Sequence, residues 1–222
     1  MTEALRIASL REALSAATAI EDLATRSLEV VAIVDEAMSA DAGNHLVVVG
    51  GMAVYLWTAN ESFRTVDIDV VYPAPAALGA ALADLGFVRS QDGRHWELPG
   101  TEIFIESPAR ELDAGVAVKQ VQMPSGRTAD VLSHVDVLVD RLDEFQATGH
   151  QIVGQQCLVL IVALDEAERD AAATRATERR VRLALDGLSS LAKEIEHGNR
   201  GVPESDEWHE LASGFLRAEY HR

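Results

Sequence analysis

The chain has 222 residues, enough for one large domain or one domain with a helical appendage, and 48% of them are apolar, as in a soluble globular protein with a real core. Its 19 basic and 36 acidic side chains leave a net charge of −17, which repels polyanions and excludes an extended DNA or RNA footprint unless basic residues cluster locally. A nucleotide held through a cation stays compatible with that charge, because a bound metal inverts the local field.

Residues 1–14 are charged and helical in pattern, without the unbroken apolar stretch of a signal peptide. No window approaches the roughly 18 apolar residues of a membrane span, so a soluble, cytoplasmic protein with no membrane partner is expected. The one cysteine, Cys157, cannot form an internal disulfide, which suits a reducing compartment. It lies in an apolar run and is expected to be a small core residue, not a nucleophile.

Residues 3–39 read as two helices, since Leu5, Ile7 and Leu10, then Leu23, Leu28, Val31, Ile33 and Val34, recur at helical spacing. Asp41-Ala42-Gly43-Asn44 is a turn. His45-Leu46-Val47-Val48-Val49 is a short strand stopped by Gly50-Gly51, after which residues 52–57 resume as a helix. Asp67-Ile68-Asp69-Val70-Val71-Tyr72 is the second strand. Pro75 opens a helix that runs to Leu85 and ends at Gly86. Further strands are expected at Phe87-Val88, 95–98, 102–106, 116–123 and 128–132, with Pro124-Ser125-Gly126 as a hairpin turn. From Ser133, which stands with Asp136 in capping-box order, the chain is helical again. Long helices are expected over 154–172, 176–196 and 205–220.

The organisation is therefore N-terminal helices (1–44) packed on a mixed α/β core (45–132), followed by a C-terminal helical region (133–222), an α/β (α+β) fold with a mixed sheet. Chemistry concentrates between Val47 and Val71. Asp67 and Asp69 are two apart in a strand and so share one face, while Ile68 and Val70 point to the other. Carboxylates held together repel unless a cation joins them, and Mg²⁺ prefers such oxygen ligands. Gly50-Gly51, between strand and helix, lets backbone N–H groups approach a phosphate at the positive end of a helix dipole. Arg64 and Thr65, just before the carboxylates, are candidate phosphate contacts, with an ion pair to those acids as the other use of Arg64.

Gly50-Gly51-Met52-Ala53 followed by Arg64-X-X-Asp67-Ile68-Asp69 resembles the nucleotidyltransferases related to DNA polymerase beta. Within them it looks most like the branch holding AbiE-type toxins and the lincosamide and aminoglycoside adenylyltransferases. The resemblance is carried by residues 46–72 and continues as a pattern to about residue 142. It implies transfer of a nucleoside monophosphate from a nucleoside triphosphate to an acceptor hydroxyl, with Mg²⁺ as cofactor. It also implies a third acidic residue on a neighbouring strand, completing the metal site or acting as base. Glu106 matches best, with Glu102, Glu97 and Asp130 as other candidates. The acceptor is RNA, protein or a small molecule, and a toxin of this kind would have an antitoxin partner. A non-catalytic nucleotide- or partner-binding module on the same fold is the alternative, favoured if Glu106 turns away from Asp67 and Asp69.

Other polar residues have plainer readings. His95-Trp96 reads as a half-buried strand with a satisfied histidine, and His134 as a surface residue at a helix start. Asp140-Arg141 reads as a solvent-facing pair. Arg175, Arg179 and Arg182 form a stripe expected to be salt-bridged with Glu178 and Asp186.

Overall fold

The computed structural model describes residues 2–38, 45–91 and 93–220. The expected turn at Asp41-Ala42-Gly43-Asn44 lies outside the described residues. The chain divides into two compact units, Met1–Leu56 with Arg64–Leu132, and Trp57–Phe63 with Ser133–Arg222.

In the first unit, α1 (Glu3–Thr18) and α2 (Leu23–Ala37) precede the sheet. Leu10, Leu14 and Ala17 form the buried face of α1. The Asp22 side chain caps α2 by accepting from the Thr25 backbone N–H at 2.8 Å and from its hydroxyl at 2.6 Å. From Ser27 to Val34 every α2 residue is buried, the pattern of a helix enclosed on all sides. Among them Glu29 is balanced by Arg127, 3.8 Å away, which also pairs with Glu36 at 3.1 Å.

The sheet comprises β1 (Val47–Val48), β2 (Asp67–Val71), β3 (Val88–Arg89), β4 (His95–Glu97), β5 (Phe104–Ala109), β6 (Val118–Gln122) and β7 (Thr128–Leu132). Their order is β3-β4-β5-β2-β1-β7-β6. β2 runs parallel to β5 and β1 parallel to β7, while the remaining neighbours are antiparallel, so the sheet is mixed as expected. The hairpin at Pro124-Ser125-Gly126 is present: Gly126 has φ +87° and donates to the Met123 carbonyl at 2.9 Å. β5 runs beyond the expected end of its segment. Its register with β2 slips between Glu106 and Ala109, where Pro108 has no N–H to give the ladder.

Two helices complete this unit, α3 (Gly50–Thr58), which begins at Gly50 and runs into the second unit, and α4 (Pro75–Leu85), which ends at Gly86 with φ +99°. On one face of the sheet Ile68, Val70, Ile105 and Val131 are almost wholly buried. Trp96 shares that face and lies against α4, since a Cβ on Gly79 would come within 3.1 Å of its ring. The other face carries Asp67, Asp69 and Glu106.

The second unit is helical: α5 (His134–Thr148), α6 (Gln151–Ala163), α7 (Glu166–Glu178), α8 (Arg182–Glu196) and α9 (Ser205–Tyr220). The helices expected over 154–172 and 176–196 are cut differently. Asp165 and Glu168 close a complete capping box that ends α6 and starts α7. Arg180, at φ +60°, separates α7 from α8. Arg175, Arg179 and Arg182 therefore do not share one helix. Each is nonetheless ion-paired, to Asp136 (3.1 Å) and Glu178 (2.9 Å), to Asp143 (2.8 Å), and to Asp186 (2.8 Å). Trp208 of α9 fits against Gly154 of α6 and meets Phe145 edge-on at 5.7 Å. Cys157 is fully buried, and burial pushes its thiol well above the ordinary range, as expected of an inert core residue.

Two sequence expectations are corrected here. His134 is not a surface residue: it is buried, stacks on Trp57 with centroids 5.5 Å apart, and its Nδ1 lies 3.1 Å from Glu168. Arg141 is not simply solvent-facing, because its side chain is mostly covered while it pairs with Asp140 and Glu144, both at 2.6 Å. The signal is the same for both: a polar tip on an otherwise apolar helix face, anchored by a carboxylate.

Removing the Asp165 carboxylate in D165A should cost about 1 kcal/mol in urea denaturation, the usual value of an N-cap. His45 gives a pH-dependent counterpart in the first unit. Its Nδ1 lies 2.7 Å from Asp35, whose hydrogen bond and negative charge raise the imidazole above its ordinary value. A raised folded value stabilises the fold below the unfolded pKa of about 6.5 and ceases to do so as pH climbs through the folded one. H45Q should therefore lower Tm at pH 5.5 and leave it nearly unchanged at pH 9.

Candidate active site

Asp67 and Asp69 stand on β2 with alternating exposure, accessible at Asp67, buried at Ile68 and partly covered at Asp69. The parallel register sets Asp69 directly beside Glu106 on β5, and the antiparallel register on the far side sets Glu106 beside His95 on β4. Neighbouring strands are about 4.8 Å apart, so Asp69, Glu106 and His95 form a row across three strands on one face.

The floor of the site is set by Gly50. It adopts φ +62°, and a Cβ built there would run into the Asp69 carboxylate, with Asp69 Cγ at 2.9 Å. Val49 N–H donates to the Asp69 carbonyl at 2.9 Å, tying the approach to the turn onto β2. The glycine is thus required twice, for its backbone conformation and for the space that Asp69 occupies. Gly51 is less constrained, its virtual Cβ meeting only Thr65 Cγ2 at 3.6 Å.

The Thr65 hydroxyl accepts from the Asp67 N–H at 3.1 Å and so fixes the start of β2. That role is structural and was not part of the sequence reading. Arg64 is exposed and makes no ion pair among the described residues, so it does not clamp the carboxylates.

Glu106 holds the position expected of a third carboxylate, but its oxygens are engaged. Arg94 contacts Oε1 through Nη2 at 3.0 Å and Nε at 3.3 Å, and His95 Nε2 lies 3.0 Å from Oε2. Sequence reasoning found His95 satisfied, as it is, but missed Arg94. The contact follows from the pairing of β4 with β5, which no local pattern in this segment announces. The other acidic candidates sit elsewhere: Glu97 is exposed on β4, Glu102 precedes β5, and Asp130 on β7 is two strands from β2 and takes Gln120 Nε2 at 3.4 Å.

Asp67, Asp69 and Glu106 offer carboxylate oxygens on this face, the donors a hard divalent cation prefers, with the His95 imidazole at the end of the row. Among the described residues no group of three or more His, Cys, Asp or Glu side chains is placed to hold a metal ion as it stands. The Glu106 carboxylate is held by Arg94 and His95. Among the described residues, no helix is long and apolar enough to cross a membrane.

No family model and no curated protein matches the chain. It is similar in structure to the antibiotic-resistance factor ANT(2'')-Ia, over 76% of this chain and 96% of that one, with 16% identity and a TM-score of 0.38. A likeness of that degree says nothing about chemistry, which rests on the residues alone.

G50A should lose about 2 kcal/mol in chemical denaturation, through the left-handed backbone and the displaced Asp69 carboxylate. G51A, with ordinary contact distances, should stay within about 1 kcal/mol of wild type.

Proposed function

We propose that this protein is a Mg²⁺-dependent nucleotidyltransferase, with residues 45–132 as catalytic core, preceded by the helices of 1–44 and followed by the helical region 133–222. The observation that carries the reading is the fit of Gly50 against Asp69: a glycine turn, a helix start and a two-carboxylate strand interlocked at one point. A cation held by Asp67 and Asp69 supplies charge neutralisation for a triphosphate.

The chain's own groups do the rest. Amides at Gly50-Gly51 lie at the positive end of α3, where phosphate oxygens are favoured. Arg64, exposed and unpaired among the described residues, is available to a phosphate. Thr65 keeps the Asp67 backbone in place. In the reaction the acceptor oxygen bonds to the α-phosphorus and the bond from that phosphorus to the β-phosphate oxygen breaks. Pyrophosphate leaves with the bonding pair, and the hydroxyl proton passes to solvent or a carboxylate.

The net charge of −17 favours a protein or a small hydroxyl-bearing compound over RNA as acceptor. A protein acceptor fits a toxin held in check by an antitoxin partner, and a small compound fits an antibiotic-type adenylyltransferase. One observation favours a second reading, a non-catalytic nucleotide-binding module: the Glu106 carboxylate is bound to Arg94 and His95.

Calorimetric titration of ATP, CTP, GTP and UTP with Mg²⁺ tests the site. Wild type should bind one of them with metal dependence, and D67A/D69A should lose at least about 100-fold in affinity. No binding by folded wild type sinks the reading. Transfer of an α-labelled nucleotide to a protein, an RNA or a small hydroxyl compound then separates the acceptor classes, and binding without transfer supports the module.

A further inference from the structure

Arg94 sits just before β4 with its side chain 68% exposed, while the Glu106 side chain it grips is only 17% exposed. The guanidinium approaches Oε1 with two of its nitrogens, and His95 takes the other oxygen. Both oxygens of the carboxylate nearest Asp69 are thereby occupied by donors from one neighbouring strand. A carboxylate in that state is a poor ligand for a cation, since a metal must displace a guanidinium hydrogen bond to reach it. The same clasp offsets the repulsion between Glu106 and Asp69, which face one another in register.

The pairing is also one that a phosphate can break. An ion pair with an exposed arginine is worth little in water, and the planar guanidinium binds phosphate oxygens as well as it binds carboxylate. Resting on the nucleotidyltransferase reading above, we infer that Arg94 is a further substrate-binding residue that exchanges partners. Without nucleotide it closes Glu106 to metal. When a triphosphate reaches the Asp67–Asp69 face, Arg94 moves to a phosphate, and Glu106, held by His95 through its other oxygen, becomes free to complete the cation's ligand set. The exchange makes metal and nucleotide binding mutually dependent: each strengthens the other through one side chain.

Arg94 is exposed, so R94Q should fold, and a thermal melt matched to wild type establishes that it does. Mn²⁺ binding to nucleotide-free protein, followed by electron paramagnetic resonance, should be roughly fivefold tighter in R94Q, the order of an exposed ion pair removed. Whichever of ATP, CTP, GTP or UTP binds wild type tightest in the presence of Mg²⁺ should bind R94Q about tenfold more weakly, and R94K should fall between. Equal Mn²⁺ affinity in wild type and R94Q, or unchanged nucleotide affinity, overturns the exchange. Those results are distinct from failure of the underlying reading, in which wild type binds no nucleotide and D67A/D69A changes nothing.

Discussion

Like charges gathered on one face of a sheet are costly, and the arrangement of this first unit follows from how that cost is met. Asp67 and Asp69 project from the same side of β2, and the parallel register of β5 adds Glu106 at the level of Asp69. Water screens Asp67, which is accessible. For Glu106, half enclosed between β2 and β4, screening is weaker, and a guanidinium and an imidazole are placed against it instead. The short β3–β4 hairpin at the sheet edge supplies both.

That electrostatic balance requires the strands to stay in register. The opposite face secures them: Ile68 and Ile105 meet in the β2–β5 pair, Val48, Val70 and Val131 continue the layer, and Trp96 lies under Gly79 of α4. A slip of one residue would put the isoleucines into water and the carboxylates into the core. The bulge around Pro108 comes after Glu106, so the irregularity falls beyond the level at which the acids face each other. Gly50 closes the arrangement from below by leaving Asp69 the volume it fills.

Much of this was legible in the chain itself. Alternation in 67–71 gave β2 and the shared face of its acids, and the Pro75 and Gly86 signals bounded α4. Pro124-Ser125-Gly126 gave the β6–β7 hairpin. What could not be read was what depends on pairing between distant segments. Nothing local to 94–106 says that Arg94 and His95 will face Glu106, because that depends on the register of β4 on β5, which sets half-buried Trp96 beside buried Ile105. Similarly, the burial of His134 depends on Trp57, 77 positions earlier, which joins the helical unit instead of staying with the residues before it. The break at Asp165 was a local signal, a capping box inside a run apolar enough to read as continuous helix.

The chain's single thiol sits deep in α6, enclosed by the helices of the second unit, with its proton held tightly by burial. A thiol reagent reaches such a group only through transient opening of that unit. The rate at which Cys157 becomes alkylated is thus an intrinsic clock for the breathing of the helical unit, built in without engineering.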